Sequence, residues 1–78
     1  MSRERFLDVA WLEPPEPMER SLTELESLTR DEVLVMRIHR QPYMLFNMLR
    51  QQGYTYSCEP TPDGLFQVRI TLPVASPD

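Results

Sequence analysis

The 78-residue chain reads as one α/β (α+β) domain, a two-layer βαβαββ sandwich. Three observations predict it. Two stretches place apolar residues at helical spacing, over Pro15 to Leu28 and Pro42 to Gln52. Between them, Glu32 to Ile38 is apolar on both faces until Arg37, as an interior strand is. Near the end, two alternating stretches flank an Asp63-Gly64 turn signal. Two helices cover only one face of four strands, so the expected architecture is a mixed sheet with both helices on one side.

Taken in order, Met1 to Arg5 is polar and expected to fray, and Phe6 to Ala10 reads as the first strand. Proline fixes φ near its helical value and lacks an N–H that the first turn leaves unbonded, so Pro15 suits the first helical position and Pro17 the first turn. Met18, Leu22, Leu25 and Leu28 then form one apolar stripe. Thr29 to Asp31 turns the chain into the second strand. Its Leu34, Met36 and Ile38 share one face, and Val33, Val35 and Arg37 share the other. After His39-Arg40-Gln41, Pro42 opens the second helix, whose buried stripe is Leu45, Met48 and Leu49 with Phe46 beside it. Gly53 ends it, the usual residue beyond a helix C-terminus. Tyr54 to Glu59 is a half-buried strand with Tyr54, Tyr56 and Cys58 inward. Leu65 to Leu72 returns with Phe66, Val68, Ile70 and Leu72 inward, and Pro73 ends the sheet. Residues 1–78 make one domain, with an ordered core over about residues 6–72.

Composition bounds the function. Stability on the order of 5 kcal/mol is expected for so thin a core. No run approaches the ~20 apolar residues of a membrane span, and no signal-peptide pattern follows the charged start, so a soluble cytoplasmic protein is expected. The net charge is −4, and residues 1–39 hold nine acids against five arginines. An acidic chain without a basic stripe argues against nucleic acid. The first helix concentrates Glu16, Glu19, Glu24 and Glu26, either a solvated face or a docking face for a basic partner. Cys58, the single cysteine, excludes an internal disulfide and a cysteine-rich zinc site.

Leu7-Asp8-Val9-Ala10-Trp11-Leu12-Glu13-Pro14-Pro15-Glu16-Pro17 resembles the L-D-x-x-G-L-x-C-P-x-P signature of the TusA/SirA-like sulfur-carrier family. Pro14 stands where that family has its sulfur-carrying cysteine, and Trp11 where it has glycine. His39-Arg40-Gln41-Pro42 is similar to the H-R-x-P segment of a branch of uncharacterised bacterial proteins whose corner reads P-P-E-P. The resemblance implies the same βαβαββ fold, and a bacterial cytoplasmic protein that touches larger enzymes of sulfur or redox metabolism.

A right-handed βαβ crossover puts the carboxyl ends of the first two strands on one edge of the sheet. Glu13, Pro14, Pro15 and Glu16 should therefore share a rim with His39 and Arg40, where open α/β sheets often bind ligands. The two helix starts differ as anion sites. Prolines remove donors at the first, and Glu16 already occupies its positive end. At the second only Pro42 lacks its N–H, and Arg40 stands beside it. His39 is either an acid–base group or a rim histidine bonded to Glu13 or Glu16. With Glu13 and Glu16 it makes a poor metal set, and no metal or cofactor is expected. Cys58 is the one candidate nucleophile, but it lies on a strand away from the helix starts that depress thiol pKa values; it reads as a small core filler. The sheet face opposite the helices should be an open apolar patch of Val33 and Val35, with Trp11, Arg37 and Arg69 nearby.

The reading is a small non-enzymatic adaptor or binding module on a TusA-like scaffold without its sulfur-carrying cysteine, with a larger protein as partner. The sequence leaves two alternatives: a sulfurtransferase relaying persulfide through Cys58, and a small-anion or metal-binding protein at the Glu16/His39/Arg40 rim. It does not fix the oligomeric state.

Overall fold

The computed structural model describes residues 3–13 and 15–72. The elements are β1 (Arg3–Asp8), α1 (Glu16–Ser27), β2 (Glu32–Ile38), α2 (Tyr43–Gln52), β3 (Thr55–Pro60) and β4 (Phe66–Thr71). The sheet runs β1-β2-β4-β3, with β1 parallel to β2 and both other pairs antiparallel. It is the expected mixed four-stranded sheet with two helices. Pro14 and Pro73 lie outside the described residues, as do Met1 and Ser2.

The first strand departs from expectation. It begins at Arg3 rather than Phe6, and Val9 and Ala10 lie beyond its end. An edge strand can be polar because half its side chains meet water and charges. Arg3 pairs with Asp31, and Arg5 reaches Ser27 Oγ at 2.8 Å on α1. Val9 and Ala10 are apolar because they are buried, not because they are a strand. The Ala10 amide donates to Asp8 Oδ1 at 3.0 Å, turning the chain out of the sheet.

α1 lies against β2 and α2 against β3, and each buries one side in a shared core. Leu34, Met36, Val68 and Ile70 are fully buried in the core with Leu45 and Leu49 from α2 and Leu25 from α1. The α1 seam is rotated from the expected stripe. Pro17, Ser21 and Leu25 are buried, whereas Met18 and Leu22 are only half-buried. Pro15 is the cap rather than the first helical residue, and α1 has no side-chain cap. At the other end of α2, Gly53 takes φ 83°, and the Tyr54 amide donates back to the Leu49 carbonyl at 2.9 Å. Only glycine adopts that left-handed turn at low cost.

The face opposite the helices is not an open apolar patch. Val33 and Val35 are 8% and 5% exposed although no helix covers them. Arg69 on β4, paired with Val35, reaches over β2 to Glu4 on β1, paired with Val33, Nη2 to Oε2 2.8 Å, so its stem crosses the face that the valines occupy. Arg37 lies further along, near Asp8 and Asp63. Phe6 and Trp11 are the apolar side chains left exposed at this end of the chain, at 73% and 79%. Among the described residues, no helix is long and apolar enough to cross a membrane.

Candidate functional site

The parallel β1–β2 pair places both following connections at one end of the sheet. There the start of α1 and the start of α2 enclose a recess of about 340 Å³. Pro15, Pro17 and Met18 form one wall, with Ser21 beneath them. Ile38, the last residue of β2, leads into His39 and Arg40 along the floor. Pro42, Tyr43 and Met44 form the opposite wall. The lining is mostly apolar and concave, the usual character of a binding cleft.

Of the expected rim, the structure brings Pro15, His39 and Arg40 into this recess. Glu13 and Glu16 do not line it; Glu16 instead belongs to a polar surface hollow with Glu19, Arg20 and Thr23. The physical reason is the helix start. Glu16 is the first residue of α1, its amide tied to the Glu13 carbonyl at 2.9 Å, and it is the Pro15–Pro17–Ser21 side of the helix that turns inward. The expected Glu–His bond is also absent among the described residues: His39 has no hydrogen bond to Glu13 or Glu16, and its Nδ1 is buried without a partner.

The two helix starts differ as expected. Pro42 caps α2 without a side-chain bond, and the first turn of α2 holds no acid, whereas α1 carries Glu16 and Glu19 in its own. Tyr43 and Met44 went unrecognised in the sequence. Both lie off the buried Leu45–Phe46–Leu49 side of α2, and they are 66% and 78% exposed. An apolar pair outside the buried stripe was the available signal. Tyr43 stands edge-on to Phe46, ring centroids 6.1 Å apart, and Phe46 stacks on Tyr56 at 4.7 Å. The wall is thus braced through to β3.

Cys58 is partly buried, packs against the core from β3 and does not line the recess. Burial, with the Glu59 carboxylate beside it, pushes its thiol pKa up, the opposite of an activated nucleophile. No cluster of three or more histidine, cysteine, aspartate or glutamate side chains is placed to hold a metal among the described residues.

No curated protein and no solved structure matches the chain. One family does, over residues 6–72, nearly the whole described fold. The chain belongs to the family described as "Uncharacterized conserved protein (DUF2249)".

Proposed function

We propose that the protein is a small, non-enzymatic binding module on a TusA/SirA-like scaffold, and that it docks on a larger protein through the recess between the starts of α1 and α2. The observation that carries this reading is the recess itself. It is concave, apolar and flanked by Tyr43 and Met44, large side chains that a monomer leaves in water. The sulfur-carrier family holds its cysteine at the corner before α1, where this chain has Pro14. The corner is thereby left with a docking role and no thiol chemistry. The partner class implied is an enzyme of bacterial sulfur or redox metabolism in the cytoplasm.

The test is a quantitative binding assay with a captured partner. Met44→Glu and Tyr43→Glu each weaken binding more than tenfold, about 1.4 kcal/mol, while Phe6→Ser, in the strand at the far edge of the sheet, binds as wild type. Retained binding by both recess variants, with loss in Phe6→Ser, moves the working surface to the sheet. Exposure to a cysteine desulfurase adds no persulfide mass to the intact chain.

A further inference from the structure

Among the described residues the charge on the recess lining comes from Arg40. No acid lines it, although the chain as a whole carries −4. Arg40 is exposed and, like Arg20, Arg30 and Arg50, makes no ion pair among the described residues, so its guanidinium is free to meet an anion at the recess. The His39 ring buries Nδ1 with neither donor nor acceptor beside it. An orphaned N–H is the rarer arrangement in a protein interior, so Nε2 is the ring nitrogen available to donate. The amides of Met44 and Leu45 have no protein acceptor among the described residues, as is usual where a helix begins without a side-chain cap.

We infer that the recess takes the C-terminal residue of the partner chain. Its apolar side chain lies against Pro17, Ile38 and Met44, and its carboxylate meets Arg40, the Nε2–H of His39 and the first amides of α2. This rests on the docking role proposed above and names what docks. An internal apolar residue would bring no charge to these donors, and an internal acid would bring its carboxylate without an apolar side chain on the same residue; a C-terminal residue brings both. A phosphate would bring two charges to one arginine and apolar walls, whereas a carboxylate brings one. A chain end fits better than a free acid because Tyr43 and Met44 carry the apolar surface beyond the recess, where preceding residues would lie.

The test is an amide-resonance titration of the whole protein with a Ser-Gly-Ser-Gly-Phe-Leu peptide, its C-terminus free or amidated, and with N-acetyl-leucine. The free peptide binds about tenfold tighter than the amide, the usual scale of a charged hydrogen bond, and it shifts the His39, Arg40, Met44 and Leu45 amides. Arg40→Gln weakens the free peptide more than the amidated one and so narrows the difference between them. Equal binding of both peptides in the recess overturns the carboxylate and leaves the docking role standing. N-acetyl-leucine binding as tightly as the free peptide overturns the chain end in favour of a free acid. Shifts from none of the three, at millimolar ligand, overturn this inference, while the docking role stands or falls on the partner-binding assay above.

Discussion

Ser21 Oγ lies 3.3 Å from Met36 Sδ, a fully buried hydroxyl against a fully buried thioether. The hydroxyl donates to the Pro17 carbonyl one turn earlier at 2.6 Å, which satisfies it without any partner from the sheet. A small polar residue on the buried side of α1 lets the helix sit close on β2, directly below the recess. Ser21→Ala therefore costs at most about 1 kcal/mol, since the carbonyl keeps its place in the helix. Ser21→Leu forces α1 off the sheet and costs about 1–3 kcal/mol. Urea unfolding of the two variants separates them.

Leu34 is fully buried in the middle of the core, between β1 and β4 neighbours that cannot close over a gap. Leu34→Ala costs about 2–5 kcal/mol. In a domain this small that approaches total stability, and loss of the cooperative thermal transition is the expected readout.

The Glu4–Arg69 bridge is a cover rather than a clamp. Both side chains are close to half exposed, so their coupling in a double-mutant cycle is ~0.2–1 kcal/mol. Arg69→Ala nevertheless costs more than Glu4→Ala, because the arginine stem also shields Val35 beside it. Equal costs for the two single variants would show that the valines are covered by something else.

Asp31 and Glu32 are held below the ordinary carboxylate range, chiefly by hydrogen bonds from the Thr29 hydroxyl and the Thr29 amide respectively; the Thr61 hydroxyl does the same for Asp63. Groups with depressed folded pKa values stabilise the fold above the unfolded value, ~4, and lose that contribution as the pH drops through the folded one. Thermal stability is therefore level from neutrality to about pH 5 and declines below it. Thr29→Ala removes one hydroxyl donor from both neighbouring acids, lowering stability at neutral pH and flattening the acid limb. An acid limb unchanged in Thr29→Ala counts against the assignment.

Cys58 should react with a neutral thiol reagent at pH 7 much more slowly in the folded protein than in denaturant, because burial disfavours its thiolate. Cys58→Ala leaves peptide binding at the recess unchanged. Rapid native labelling with loss of binding would return the persulfide relay to consideration.

Periodicity made the elements themselves legible. Glu32 to Ile38, apolar on both faces until Arg37, matches β2 end to end, and Gly53 marks the close of α2. What periodicity could not reveal is where charge substitutes for apolar burial. Arg3 to Arg5 look like a frayed start because an edge strand held by ion pairs has no apolar signature. Val33 and Val35 look bare because the arginine that covers them is more than thirty residues away in sequence. For the site, the parallel β1–β2 pair made it possible to foresee His39 and Arg40 beside Pro15. The absence of Glu13 and Glu16 depends on the rotation of α1 about its own axis, set by a serine and a proline packing inward where methionine and leucine were expected.

The order in which strands lie differs from the order in which they are made, and that governs how the chain can assemble. β2 is flanked by β1, already synthesised, and by β4, which is the last strand of the sheet. During synthesis the most apolar strand therefore waits with one edge unpaired until Phe66 to Thr71 have emerged. Unpaired apolar edges of this kind recruit other chains. A nascent chain stalled between α2 and β4 is thus the species most prone to aggregate, and fragments ending before Phe66 belong in the insoluble fraction.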